Sequence, residues 1–335
     1  MKLPIRILGA TLSLAGLFGA WYAQSIELPN FEPKPQEPIA VTTEAKPLQL
    51  YCPGPLAELG GKDGTDLGSL ALVGKANLSY RLGQGVLTAE PKSRIEQGTA
   101  ISMTSREQGS ATLTAAQAQL IQRPRMAGLA ATGCAQPQAE GWLLTGMAGS
   151  GFESILLVGN PNPVEVQVEL TFHLETATSS QLLTLAPFAQ QQLSLASFVD
   201  AEPQFAIHFQ SSGQKVSVAL QNRSSAGLSA TGVELKGPTL AAAKELVIPG
   251  FETLAEGLAS PTLRIFNPGS NPAQALVTFV GSGTNSDVVQ VQVPAGGFEL
   301  INPDLALGNY MVLIQADVEV MAELSNPYLA ERFDF

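Results

Sequence analysis

The stretch "LLVGNPNPVEVQVELTF", residues 156–172, is the strongest indication of the fold class, because a close variant, "LRIFNPGSNPAQALVTF", follows about one hundred residues later at 263–279. In both copies an apolar run ends at an Asn-Pro pair, and apolar and polar residues alternate after it. Val166, Val168 and Leu170 take every second position of the first copy. A two-residue period buries one face of a β-strand and leaves the other in water. The repeated stretch therefore predicts a strand, a turn and a second strand.

The Asn-Pro pairs, Asn160–Pro161 and Asn267–Pro268, mark where the strands end. Proline has no N–H for the strand ladder, and it pushes the preceding residue out of the helical region. Asparagine caps such turns with its side chain. We interpret these four residues as structural turns without direct chemistry.

The spacing of the copies predicts a fold built from repeated units. Apolar runs that end on glycine, "GWLLTG" at 141–146 and "KELVIPG" at 244–250, precede the two copies, and "LQLYCPG" at 48–54 begins a fainter third. A period of about one hundred residues is the size of an immunoglobulin-like sandwich. We predict an all-β fold of tandem immunoglobulin-like β-sandwich units: a divergent β-rich unit at 48–138 and sandwich units at 139–240 and 241–335.

The composition agrees with this fold class. Hydrophobic residues make up 45% of the chain and charged residues 14%, with 32 Gly and 23 Pro, a profile typical of short strands and many turns. The net charge of -11 argues against a nucleic-acid partner, since phosphate binding draws its affinity from clustered Lys and Arg.

One minor helix is predicted within the first unit, at "LTAAQAQLIQRP", residues 113–124. Pro124 stops the run, and four apolar residues share one helical face: Leu113, Ala116, Leu120 and Ile121.

The N-terminal segment, 1–23, has the layout of a signal anchor or a signal peptide. Lys2 and Arg6 precede 17 residues without a formal charge, 7–23, and bulky residues stand where a cleavage site needs small ones. Trp21 and Tyr22 are placed like a membrane-interface belt. We favour an anchor in the cytoplasmic membrane through 7–23, with secretion as the alternative.

Residues 24–47 contain five prolines and almost no apolar periodicity, which predicts an extracytoplasmic Pro-rich stalk. The positive-inside rule places Lys2 and Arg6 in the cytoplasm. The expected localisation is therefore the cell membrane, with a single pass and the C-terminal part outside.

The chain has two cysteines, Cys52 and Cys134, both in the part predicted to be exported. An even count in an oxidising compartment favours a disulfide, which in the chain-entropy description stabilises the fold by roughly 4.5 kcal/mol for a loop of this length. Zinc is the competing use, but Cys52, Cys134, His173 and His208 match no known ligand spacing. We predict a disulfide and no metal.

Motifs for catalysis and cofactor binding are missing from the sequence. "AGSGF" at 148–152 lacks the spacing of a nucleophile elbow, and "GGKDGTD" at 60–66 lacks the glycine and hydroxyl residue of a phosphate loop. His173 and His208 are predicted to face outward as solvated histidines, while Trp142 is predicted to pack between units. We therefore predict no catalytic residues and no cofactor.

The segment "GLAATGCAQPQAEGWLLTGMAGSGFESILLVGNPNPVEVQVELTF", 128–172, resembles an actinobacterial family of exported proteins known as domain of unknown function 5719. The resemblance rests on the order of five residues: Cys134, Trp142, Gly146, Asn160 and Pro161. The later "LRIFNPG" and the N-terminal "CPGP" also fit the pattern of this family. It implies a single-pass or secreted envelope protein of β-sandwich units, with no assigned reaction.

These observations together favour a non-enzymatic, membrane-anchored or secreted cell-envelope protein. Its tandem sandwiches would act as a structural or docking module for an unidentified envelope protein or wall polymer. A module that binds cell-wall glycan or glycolipid is the alternative, and its sugar-stacking aromatic residues are scarce, since the chain has only two Trp. A hydrolase is a third, less favoured hypothesis.

Overall fold

A computed structural model describes residues 15–22, 24, 48–60, 66–83, 86–87, 89–104, 112–146, 148–175, 177–199, 204–227, 229–253, 261–281 and 286–325. The chain divides into two compact units, 1–44 and 45–335. In the first, residues 15–22 and 24 are helical, with Trp21 and Tyr22 exposed. No helix among the described residues combines the length and hydropathy that crossing a membrane requires. Most of the predicted anchor and all but one residue of the predicted stalk lie outside the described residues.

The second unit is nearly all β, which confirms the predicted fold class at that level. Its first third contains three sheets, with strand orders β1-β7-β5, β2-β3 and β6-β4-β8-β9. The strands are β1 (Leu48–Cys52), β2 (Ala57–Gly60), β3 (Asp66–Leu72), β4 (Ala76–Leu82), β5 (Val86–Leu87), β6 (Arg94–Ile95), β7 (Thr99–Thr104), β8 (Leu113–Arg123) and β9 (Met126–Gly133).

The middle third forms two four-stranded sheets that face each other across one core. The strands are β10 (Glu140–Gly146), β11 (Phe152–Gly159), β12 (Val166–His173), β13 (Thr178–Leu185), β14 (Gln190–Ser194), β15 (Phe205–Ser211), β16 (Ser217–Ala226) and β17 (Ser229–Lys236), with a short 3-10 helix at Leu195–Ser197. The orders are β10-β15-β12-β13 and β14-β11-β16-β17, all antiparallel. Val168, Leu170 and Phe172 of β12 are fully buried, as their alternation predicts.

The last third repeats this pairing with one difference. The strands are β18 (Ala243–Thr253), β19 (Thr262–Phe266), β20 (Ala273–Gly281), β21 (Ser286–Val293), β22 (Phe298–Ile301) and β23 (Gly308–Ser325). The order β21-β20-β23-β18 matches β13-β12-β15-β10. The second half of β23 pairs with β19, which also pairs with β22. β23 is a single strand of 18 residues. It makes the pairings that β15 and β16 make as two separate strands in the middle third.

The helix predicted at 113–124 is wrong, because this segment is strand β8. Its buried side chains, Leu113, Gln117, Gln119 and Ile121, follow a two-residue period, while Leu120 is exposed. Two of these four buried residues are glutamines. Because glutamine is polar, a pattern based on hydrophobicity does not show the alternation. The apolar residues that remained fell by chance at helical spacing.

The inward glutamines hold the chain segment that follows β1. Gln117 donates to the carbonyl of Gly54 at 2.6 Å and accepts from its N–H at 2.8 Å. Gln119 accepts from Leu56 N at 2.9 Å and donates to the carbonyl of Val73 at 2.7 Å. These amides replace the partner strand that the buried backbone lacks, and a buried backbone group without a partner costs about 1–3 kcal/mol.

A third glutamine ties the same segment to the middle third. Gln221 of β16 accepts from Ala57 N at 2.7 Å and donates to the carbonyl of Ala57 at 2.8 Å. Around these bonds, Leu56, Met126 and Ile121 pack in one cluster with Ile155 and Leu157 of β11. The first and middle thirds therefore share a core, and the predicted boundaries of the units stay predictions.

Replacing Gln119 with leucine is expected to lower the free energy of unfolding by about 2–4 kcal/mol, because two buried backbone groups lose their partner. Gln122→Leu is the matched control, since Gln122 is exposed on the same strand; it should change stability by less than about 0.5 kcal/mol. Urea denaturation of both variants measures the difference. Equal stability of the two variants would contradict the assigned role of the Gln119 amide.

Candidate functional site

The two cysteines form a disulfide. Cys52 at the end of β1 and Cys134 just after β9 are joined with 4.4 Å between their Cα atoms, and both are buried. Among the described residues, no group of three His, Cys, Asp or Glu is placed to hold a metal ion. The disulfide and the glutamine hydrogen bonds both hold the segment that follows β1. The two cysteines therefore have a structural role.

The two Asn-Pro asparagines are almost fully buried and make nearly the same set of hydrogen bonds. The side-chain oxygen of Asn160 accepts from Asn162 N, and that of Asn267 accepts from Gly269 N, both at 2.9 Å. Each amide nitrogen donates to the carbonyl four residues on, Val164 at 2.8 Å and Asn271 at 2.7 Å. Each amide nitrogen also donates to the carbonyl of the last residue of a strand, Leu185 of β13 or Val293 of β21. Their polar atoms are occupied within the turns.

The loop that closes each turn requires a left-handed backbone at one position. Asn160 N donates to the carbonyl of Ala189, and Asn267 N donates to that of Gly297. The residue before each acceptor has a positive φ, 55° at Phe188 and 63° at Gly296. Left-handed backbone favours glycine, and a side chain there is strained. The last third has a glycine at this position, whereas the middle third has Phe188, whose side chain is exposed.

An aromatic junction, formed by Trp142, His173, His208, Phe266 and Phe298, connects the middle and last thirds. Trp142 stacks on His208 with 4.5 Å between ring centroids, and its ring lies 5.0 Å from His173 and 5.3 Å from Phe266. Beside these rings, Leu144 and Ala206 pack on Phe266 and Met321. Trp142 therefore lies between the two parts of the chain, as the sequence predicts.

The histidines face away from the core as predicted, but they are not freely solvated, because Trp142 covers both rings. His208 Nε2 lies 2.9 Å from Glu140 Oε1. The pKa of His173 is lowered from its ordinary value, mainly by burial and then by the charge of His208. His173 is therefore held in its neutral form beside the tryptophan.

Stability should fall on acidification because of His173. A histidine whose pKa is lowered in the folded protein binds its proton more readily when unfolded, so folding loses stability as the pH drops through about 6.5. We expect the melting temperature of the wild type to fall more between about pH 7 and about pH 5 than that of His173→Gln. Thermal unfolding monitored by circular dichroism checks this. Parallel curves for the two proteins would show that His173 does not carry the pH dependence.

A groove of about 230 Å³ opens beside the N-terminal end of β11. Phe152 is exposed at its wall, and Glu153 pairs with Arg223, both side chains being largely buried. Arg223 also donates to the carbonyl of Arg125 at 2.5 Å. The groove thus presents one aromatic face and one charged pair.

The outer face of the sheet β21-β20-β23-β18 carries an exposed apolar patch, bordered by Glu245, Gln290 and Gln315; we call this patch the terminal face. Its large exposed side chains are Val247 (62%), Val288 (52%), Met311 (40%) and Leu276 (39%). One cross-strand row runs from Val288 through Thr278 and Leu313 to Val247. The next row contains Val280 and Met311. A large contiguous apolar patch on a soluble domain typically marks an interaction site.

A comparison with known proteins connects the chain to one family. The sequence profile described as "Family of unknown function (DUF5719)" matches residues 89–327. No curated protein matches the chain. Among solved structures, the Anabaena sensory rhodopsin transducer is 17% identical and covers 27% of this chain and 88% of its own, with a TM-score of 0.23. A similarity at that score carries no argument about fold or function.

Proposed function

Since the chain belongs to the family of unknown function DUF5719, whose description assigns no activity, we propose a function from the geometry. The protein is a non-enzymatic cell-envelope protein, anchored through 7–23 or secreted, whose tandem immunoglobulin-like β-sandwiches serve as a structural or docking module. The observation that carries this proposal is the exposed, apolar terminal face.

The repeated strand pairing supports the tandem sandwiches. The middle third has its own core between two sheets, and the last third has another that contains Phe251, Phe279 and Ile314. The matching asparagine turns lie at equivalent places in both. Two sandwiches that contact each other through the aromatic junction are suited to presenting a docking surface.

The disulfide and the N-terminal segment support an envelope location. Disulfides persist in oxidising compartments and are rare in the cytosol. Lys2 and Arg6 before an uncharged run orient the remaining chain outward if that run is inserted.

Phe188 supports contact at a loop end in addition to the sheet face. The equivalent turn uses Gly296 at the same left-handed position, so an exposed phenylalanine there costs stability without a gain in packing. Strained and exposed apolar residues are typical of contact sites.

The docking function predicts a partner that depends on the terminal face. Full-length protein with an affinity tag should fractionate with membranes or the medium, and it should co-purify with an envelope component after cross-linking. Val247→Glu, which places a charge in the face, should abolish this capture. Val164→Glu is the matched control, because Val164 is an exposed valine outside the face. Residence in the cytoplasm with both cysteines reduced would overturn the proposal.

Glycan binding is the second candidate, and the groove at Phe152 favours it. An aromatic side chain beside a fixed carboxylate–guanidinium pair is suited to stacking on a sugar ring and bonding its hydroxyls. Isothermal titration with purified wall polysaccharide should then give binding that Phe152→Leu weakens at least tenfold and Phe152→Tyr retains. Equal binding by the wild type and Phe152→Leu would exclude this groove as the glycan site.

A further inference from the structure

We propose that the aromatic junction is an acid-sensitive contact: protonation of His173 opens it, and the last third separates from the middle third while each keeps its own core. The inference goes beyond the proposed function and does not depend on it. It rests on the composition of the junction, on the separate cores of the two thirds and on the charges around His173.

The titratable groups of the junction are histidines. The chain has two histidines, and both lie beside Trp142. The ring centroid of Trp142 is 4.5 Å from that of His208 and 5.0 Å from that of His173. Histidine is the side chain whose ordinary pKa puts its change of charge between about pH 5 and 8. Mild acid therefore adds histidine charge at the contact between the two thirds and nowhere else in the chain.

The two histidines differ in what surrounds them. His208 Nε2 lies 2.9 Å from Glu140 Oε1, so a proton on His208 is balanced by a carboxylate. The ring of His173 instead lies near two aromatic rings, Trp142 of its own sheet and Phe266 of the last third, the latter at 5.8 Å. Aromatic faces attract a cation, yet the pKa of His173 is lowered, mainly by burial, so burial outweighs that attraction.

The other charged groups at the junction do not offset a proton on His173. Among the described residues, the one charge that changes the pKa of His173 is that of His208, and it lowers this pKa further. Strand β13 has no titratable side chain. The remaining charged residues of the strands that pack here are Glu140 on β10, Glu169 on β12 with Glu175 just after it, Arg264 on β19, Glu299 on β22, and Asp317, Glu319 and Glu323 on β23.

Opening the junction exposes His173 without moving its neighbours in the middle third. Phe266 leaves with the last third, while Trp142 and His208 stay beside His173. The pKa of His173 is therefore closer to its ordinary value of about 6.5 in the open form than in the closed form. Because the open form binds the proton more readily, opening is favoured as the pH falls below about 6.5.

Each third can keep its fold when the junction opens. The core of the middle third contains Phe172 and Phe209, and that of the last third contains Phe251 and Phe279. The cluster at the contact has four buried members: Leu144, Ala206, Phe266 and Met321. Separation thus exposes this cluster and leaves both cores closed.

Two further contacts keep the thirds close to each other after opening. Thr239, in the segment between β17 and β18, donates its N–H to the carbonyl of Trp142 at 2.7 Å. Lys236 Nζ lies 2.5 Å from Glu323 Oε1, an ion pair between the middle and last thirds that contains no histidine. Acid therefore should loosen the aromatic contact and give a hinge, rather than two independent parts.

Distances between spin labels on the two thirds test the proposal. Cys52 and Cys134 are bonded to each other, so two added cysteines are the free thiols of the full chain. Thr184→Cys and Val288→Cys place them at exposed positions of β13 and β21. Pulsed electron resonance should give one narrow distance at about pH 7.5 and an additional broad distribution at about pH 5. The ratio of open to closed protein should rise by at most about tenfold per pH unit, because one proton is taken up.

The two histidine variants are matched controls in this labelled protein. His173→Gln should keep the narrow distance at both pH values, because glutamine stays neutral. His208→Gln removes the other histidine and should still open in acid. Acid opening that persists in His173→Gln, or that is lost in His208→Gln, would overturn the assignment to His173.

Circular dichroism of the same samples separates opening from unfolding. The strand signal should be the same at about pH 7.5 and about pH 5, because both cores stay closed. Loss of this signal together with the change in distance would overturn the proposal, since the chain would then unfold as a whole. A wild type with one narrow distance at both pH values would overturn it without reference to any variant.

Discussion

The fold depends on buried side-chain amides that satisfy buried backbone groups. Gln117, Gln119 and Gln221 bond the peptide groups of the segment after β1, and Asn160 and Asn267 bond those of the two strand-to-strand turns. In each place a backbone group lies in the core on a side where the strand order provides no hydrogen-bonding neighbour. Backbone polar groups in that position need a partner, and an amide offers both a donor and an acceptor. The apolar cores can close around these segments only because the amides are there.

The sequence predicted the structural features that depend on a local pattern of residues. The alternation at Val166–Phe172 gave the strand and its buried face, and the repeated Asn-Pro pair placed both turns at strand ends. The cysteine count predicted the disulfide. Trp142 was expected to pack between parts of the chain, and it contacts Phe266 of the last third. These features are determined by residues close in sequence or by a choice between very few partners.

The remaining features depend on contacts between distant residues. The inward glutamines of β8 are polar, so a period based on hydrophobicity missed the strand and predicted a helix. The shared core between the first and middle thirds forms from residues far apart in sequence, which spacing does not reveal. The sequence contains a sign of the terminal face, because "ALVTFV" at 275–280 is apolar except for Thr278 and "MVLI" at 311–314 is apolar throughout. Such runs indicate strands covered on both sides.

β23 gives the last third a mechanical property that the middle third lacks. Its first half is bonded to β18 and β20 in one sheet, and its second half to β19 in the other. A pulling force along this strand loads several ladders in shear at once, so that many hydrogen bonds must break together. In the middle third the same pairing is divided between β15 and β16, which lie in different sheets and are connected by residues 212–216, so each sheet can yield separately. The last third is therefore the part of the chain better suited to bear tension.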